Sequence, residues 1–309
     1  MLTQIKGLHH ISSLASDANR TNAFFTRTLG LRRVKKSVNQ DAPDMYHLYY
    51  GNALGDQASA MTFFPIPHAR PGRRGTGEVG VTNFTVPKGS LSAWADRLAL
   101  GGATDIAFGQ SFGAALVAFT APDGDSFALI EGDDPRAPWT GSGVGEDMAI
   151  RGFHSASLRL KDSGATRELL HFMGYQDLES NGAVTRLHLP DGEHAAIIDI
   201  ETLPTIERAR QSAGTVHHIA FAVPDLIAHE EVRKTLEDTG WGVTPSIDRY
   251  YFQAAYFRTP GGVLFEISTN GPGFDVDEDS AQLGQNLILP PKFEAHRDQI
   301  AAALPHMEE

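Results

Sequence analysis

The chain of 309 residues contains no cysteine. Disulfides, thiolate metal sites and a cysteine nucleophile are therefore excluded, and any bound metal must be held by His, Asp, Glu or water. Long apolar runs are also missing: no stretch approaches the ~18–20 residues that a membrane helix needs. The opening "MLTQIKGLHH" has neither the basic start nor the apolar core of a secretory signal, so a cytoplasmic location is expected. Basic residues are in short supply, with 26 Lys and Arg against 38 Asp and Glu and a net charge of −12. That balance does not favour nucleic acid or an anionic membrane, both of which need clustered Lys and Arg. What remains open is small-molecule chemistry. At 41% hydrophobic residues, a chain of this length can build two cores.

What the chain does have is an internal repeat. Four stretches open on a short apolar strand: "GLHHISSLA", "VGVTNFTVP", "GFHSASLRL" and "VHHIAFAVP". Each is followed by a helical segment closing near a glycine, then by strand-rich runs. The "PDG" and "PGG" steps before the last strands mark turns. The unit is βαβββ, repeated four times. One helix cannot cover both faces of such a unit, so the units must pair. The expected class is α+β: four βαβββ modules paired into two domains of curved mixed sheets with helices outside. The Pro-, Gly- and Asp-rich segment 133–148 divides the chain into an N-terminal domain, 1–148, and a C-terminal domain, 149–309. Residues 271–309 follow the fourth module and are expected to pack as a loop and a terminal helix.

The repeat also acts as an internal control. Aligning the first strands puts His10 and His218 in one slot, which holds Val81 and Ser155 in the other two modules. Aligning the last strands on their prolines puts Glu266 six residues after Pro260, where the sister strands have Ala128 and Ala196. The scaffold does not require these three residues. Two imidazoles and one carboxylate make a facial triad that leaves open positions on Fe(II). The triad assembles if modules one and four face each other, leaving modules two and three as a metal-free pair. Glu266 stands in the apolar strand "GGVLFEIST", where an unpartnered carboxylate is costly and a metal is a natural partner. The companions His9 and His217 pose a difficulty, because successive strand residues face opposite sides. They are candidates for orienting the ligands or touching substrate; the alternative is an edge histidine.

With these residues in place, the chain resembles the vicinal oxygen chelate superfamily of glyoxalases, bleomycin-resistance proteins and extradiol dioxygenases. More narrowly, "GLHHIS", "VHHIAF", "DRYYFQAAYFRTPGGVLFEIST" and "GPGF" resemble the hydroquinone-type ring-cleaving dioxygenases over nearly the whole chain. The resemblance implies Fe(II) held by His10, His218 and Glu266, with Mn(II) or another divalent metal as the alternative. It implies an Arg and a Tyr near the substrate, at Arg249 and Tyr256. It also implies an aromatic diol and O2 as reactants, and a homo-oligomer, dimer or higher. Ser12 stands where relatives often carry Thr. Thr259, in "FRTP", replaces the subgroup's usual acid.

Three protein ligands on six-coordinate Fe(II) leave room for a diol and O2. A cation such as Arg249 would stabilise a phenolate, and Tyr256 can donate a hydrogen bond or relay a proton. The structural alternatives are an ion pair of Arg249 with Asp248 and core packing of Tyr256. Two other functions compete. A glyoxalase-like lyase or isomerase using Zn, Ni or Mn would want a second acid, which the end of module one, "AMTFFP", does not supply. A non-catalytic resistance protein of the same fold would often lack the triad.

Overall fold

A computed structural model describes residues 1–308. Its order of elements is the βαβββ unit four times over. Module one holds β1 (Leu8–Ala15), α1 (Ala18–Ala23, running on into a π-turn at Phe24–Thr28), β2 (Arg32–Asn39), β3 (Ala42–Gly51) and β4 (Ala60–Pro65). Module two holds β5 (Glu78–Val86), α2 (Leu91–Leu100), β6 (Thr104–Ser111), β7 (Ala114–Thr120) and β8 (Ser126–Glu131). Module three holds β9 (Gly152–Leu160), α3 (Gly164–Phe172), β10 (Gln176–Asn181), β11 (Val184–His188) and β12 (Ile197–Thr202). Module four holds β13 (Thr215–Val223), α4 (Leu226–Asp238), β14 (Ile247–Asp248), β15 (Phe252–Arg258) and β16 (Leu264–Pro272). The tail is a loop followed by a 3-10 turn (Pro291–His296) and α5 (Arg297–Ala303).

The modules pair as first with fourth and second with third. One sheet runs β14-β15-β16-β13-β1-β4-β3-β2 and the other β10-β11-β12-β9-β5-β8-β7-β6. Within each module the first strand lies parallel to the last, and the modules of a sheet join through their antiparallel first strands, β1 with β13 and β5 with β9. The period of two then sorts side chains between faces. In β16, Phe265 and Ile267 enter the main core, while Glu266 and Ser268 point the other way, buried but polar. In β3 and β4, Tyr50 and Phe63 enter that core while Tyr49 and Thr62 take the opposite face.

The two sheets meet through the helical side of the modules. Phe25, in the π-turn, packs on Phe63 of its own sheet at 4.6 Å and on Phe127 of the other at 5.8 Å. Polar ties reinforce this contact. The "PDG" turn of module two places Asp125 against Ser13 of β1, and places Asp123 against Ser16 (2.7 Å) and Arg20. The linker is pinned as well, since Arg136 donates to the carbonyls of Ala58 (2.9 Å) and Phe153 (2.7 Å).

Register corrects one alignment made on the sequence. Glu266 lies beside Ala220, two residues beyond His218. In module three the residue two beyond Ser155 is Ser157, which lies beside Asp199. The counterpart of Glu266 is therefore Asp199, not Ala196. The three-residue difference arises because the turn after Pro190 is longer than the turn after Pro260. In module two the counterpart is Ala128, beside Asn83, as the proline alignment gave; in module one it is Thr62, beside Ser12.

Candidate metal centre and pocket

The three odd residues converge from three adjacent strands. His10 comes from β1, His218 from β13 and Glu266 from β16, and all three are buried. His10 Nε2 lies 3.2 Å from His218 Nε2, and Glu266 Oε2 lies 2.9 Å from His218 Nε2 and 3.5 Å from His10 Nε2. Among the described residues this is the one cluster of three or more His, Asp or Glu residues whose donor atoms are close enough to share a metal. At metal–ligand lengths of about 2.1 Å, a trans pair would lie about 4.2 Å apart. No pair here is that wide, so the three donors occupy one face of a coordination sphere.

The electrostatics suit a cation. Glu266 Oε1 accepts from Ser268 Oγ at 2.6 Å, whereas the buried Oε2 has no hydrogen-bond partner. Burial pulls the Glu266 pKa up, but His10 and His218 outweigh it and hold the carboxyl well below its usual range. His218 is shifted down, chiefly by burial, against the opposing pull of Glu266. An ionised carboxylate with an orphan oxygen beside two Nε2 atoms is the donor set of a divalent metal.

The companion histidines resolve the difficulty of adjacent strand residues. Between Leu8 and Ile11, β1 advances three residues while β13 advances two, from Phe221 to Ile219. Between Ser12 and Ser13, β13 advances two residues, from His218 to Val216. Each histidine pair therefore sits at a β-bulge, which re-aims side chains. His9 Nδ1 lies 2.8 Å from His10 Nδ1, and His217 Nδ1 lies 2.8 Å from His218 Nδ1. Were a metal to take both Nε2 atoms, the Nδ1–H of His10 and of His218 would donate to its companion. Burial lowers the companions to pKa values of about 3 for His9 and about 4 for His217, so both accept as neutral rings.

In front of the triad lies a cavity of about 420 Å³, with His10, His218, Phe64, His217, Arg249 and Tyr256 among its walls. Arg249 Nε donates to Tyr256 Oη at 3.2 Å. Its partner ion is Asp41, held at 3.0 and 2.9 Å by two guanidinium nitrogens, rather than the adjacent Asp248. Asp41 arrives from the β2–β3 hairpin of module one, a contact sequence order does not disclose. Burial works against the Arg249 charge, yet Asp41 and Tyr256 more than offset it and Arg249 remains a cation. Burial and nearby Glu266 push Tyr256 well above the usual phenol range, so it stays protonated.

Ser12 is fully buried and does not reach the cavity wall. Its Oγ bonds to Thr62 Oγ1 at 2.6 Å, and Thr62 Oγ1 bonds to His47 Nε2 at 2.9 Å. His47 and Tyr49 line the cavity and have no counterpart among the sequence candidates. Tyr49 had a signal: it lies opposite Thr62 as Tyr256 lies opposite Glu266.

The second sheet shows what the scaffold does without a metal. Asp199 is bound by both Nε and an Nη of Arg186, each at 2.8 Å, and both side chains are buried. Arg186 occupies in β11 the register position of Tyr256 in β15. A guanidinium thus neutralises the carboxylate that a metal would neutralise in the first sheet. Asn83 Nδ2 donates to Ser155 Oγ at 2.9 Å, and Ser155 holds the slot that His218 fills in the first sheet.

This paired βαβββ architecture with one buried two-histidine, one-carboxylate site defines the class. The chain belongs to the glyoxalase/bleomycin resistance protein/dioxygenase superfamily, whose family model matches residues 159–267. It is 38% identical over 98% of its length, and 97% of the relative's, to a Bacillus subtilis protein named as a ring-cleaving dioxygenase, MhqO. It is 34% identical to the chlorohydroquinone/hydroquinone 1,2-dioxygenase of Sphingobium indicum, over 96% of this chain and 95% of that one. A crystal structure of a Bacillus subtilis protein titled as a dioxygenase superposes with a TM-score of 0.95 at 38% identity, covering 99% of this chain and 98% of that one. No helix among the described residues is long and apolar enough to cross a membrane.

Proposed function

We infer that the protein is an Fe(II)-dependent dioxygenase that opens the ring of a hydroquinone- or catechol-type diol with O2. The observation that carries this reading is the facial set of His10, His218 and Glu266 with an orphan carboxylate oxygen, at the floor of an aromatic-walled cavity. The names of the relatives support the same chemistry. Fe(II) is the assigned metal, with Mn(II) the alternative for the same donors. When bound, the metal brings ring and O2 together and lets electron density pass between them, which side chains alone cannot do.

The chain's own residues do the rest. His9 and His217 hold the imidazoles of His10 and His218 in the tautomer that frees Nε2. Ser268 holds Glu266 Oε1, which leaves Oε2 for the metal. Arg249 supplies a fixed positive charge against a phenolate oxygen, and Tyr256, whose oxygen already accepts from Arg249, has its proton free to donate. Phe64, Phe252 and Leu264 give the ring apolar contact and limit water. Thr62 stands where the internal two-fold would place a second acid opposite Glu266. A four-ligand lyase or isomerase site is therefore not formed.

The test is oxygen uptake by Fe(II)-loaded protein with a panel of hydroquinones and catechols, alongside metal analysis. Glu266→Gln is expected to lose most of its metal and at least 10²-fold in rate. No uptake with any diol by metal-replete protein would overturn the reading.

A further inference from the structure

Arg249 and Tyr256 serve one side of the metal position. The internal two-fold that relates β13 to β1 relates Glu266 to Thr62 and Tyr256 to Tyr49, through matching registers across β15–β16 and β3–β4. Tyr256 is supported by a basic side chain, and so is Tyr49. Tyr49 Oη lies 2.7 Å from His47 Nδ1. The His47 ring is held between Phe64 at 4.1 Å and Tyr49 at 4.0 Å, and its Nε2 is tied to Thr62. Ser12, Thr62, His47 and Tyr49 thus form one unbroken hydrogen-bonded chain that ends at the cavity wall.

We propose that Tyr49 is a second substrate-contacting hydroxyl, the symmetry mate of Tyr256, and that His47 is its positioning residue. The proposal rests on the reading of the site as one for an aromatic diol. The two supports differ in one respect that matters. A guanidinium only donates, so Tyr256 always has its proton free for the cavity. A neutral imidazole carries one N–H and one lone pair, so the His47 chain can run in either sense. With the proton on Nδ1, His47 donates to Tyr49 and frees the phenol proton for substrate. With the proton on Nε2, Tyr49 donates to His47 and offers only lone pairs to the cavity. Tyr49 can therefore accept from a diol hydroxyl, or donate to the same oxygen once it is ionised, by reordering protons along the chain and without gaining charge. Burial keeps Tyr49 a phenol, and burial together with His10, His218 and Arg249 keeps His47 neutral. Glu266, which opposes that shift, is the one acid facing His47.

The experiment is anaerobic titration of the metal-loaded protein with nitrohydroquinone, whose absorbance reports its ionisation, for wild type, Tyr49→Phe, His47→Gln, His47→Leu and the Tyr49→Phe/His47→Leu pair. Metal content and thermal unfolding are measured on the same samples. Tyr49→Phe is expected to keep its metal, weaken binding about 10-fold, the size of one hydrogen bond, and shift the bound ligand's spectrum. His47→Leu should behave likewise, His47→Gln should recover part of the loss, and the double variant should be no worse than the worse single one. If wild type binds and folded Tyr49→Phe binds with the same affinity and spectrum, the proposal is overturned while the diol site stands. Additive losses in the double variant would overturn the role of His47. Failure of wild type to bind any such diol would remove the proposed function and this inference together.

Discussion

At the residue scale, the proposed metal site would depend on which nitrogen each imidazole exposes. His9 would set this for His10 through a 2.8 Å contact between Nδ1 atoms. His9→Phe keeps the edge packing against Phe252, 5.1 Å away between ring centres, but removes the acceptor. It should lower metal affinity about 10–100-fold, measured by competition with a chelator. Unchanged affinity would make His9 a packing residue. The convergence of His10, His218 and Glu266 was legible in the sequence because the repeat has copies without the histidines; for Glu266 the control held in module two, at Ala128, while module three carries the acid Asp199. His47, Thr62 and Asp41 were not, since each acts across strands that only register brings together. Asp41 lies 208 positions from Arg249.

At the element scale, adjacent histidines became readable only through the bulges. A strand read as regular puts His9 and His10 on opposite faces; one extra residue reverses that. The longer turn after Pro190 misled in the other direction, hiding Asp199 behind Ala196. With Asp199 placed, the Arg186 pair becomes a testable substitute for a metal. Arg186→Met strands a buried carboxylate and should cost about 3–5 kcal/mol, while adding Asp199→Leu should restore most of that. Denaturant unfolding measures both, and metal content in the other sheet should not change. The turn carrying Asp125 has its own pH signature. Burial outweighs the Ser13 hydrogen bond and raises this carboxyl from 3.8 to about 6. Its contribution to stability is therefore full below pH 3.8 and lost as pH rises through 6. Asp125→Asn should gain on wild type by roughly 2–3 kcal/mol between pH 4 and 7. A constant difference between the two proteins across that range would refute the assignment.

At the scale of the whole molecule, the four-module plan and the pairing of modules one with four were legible, because the odd residues had to meet. Relative placement of the sheets was not, since the Phe25–Phe127 contact carries no signal in periodicity. Each half of the chain, 1–148 or 149–309, supplies one module to each sheet. Either half alone should expose the joining edge of two first strands and bind metal weakly or not at all. Mixing the halves should restore metal binding, read by metal analysis after gel filtration. Tight metal binding by 149–309 alone would exclude His10 from the site.

The pairing of the first module with the last also sets an order of events during synthesis. Modules two and three are contiguous and can close their sheet while the ribosome is still making module four. Module one, made first, must wait with β1 as an unpaired edge until β13 emerges, and such an edge invites pairing with another chain. The nascent chain meets cellular metal with His10 long before Glu266 exists. A metal held by all three proposed donors would therefore bind only after Glu266 has emerged, on a frame whose other half can already be built.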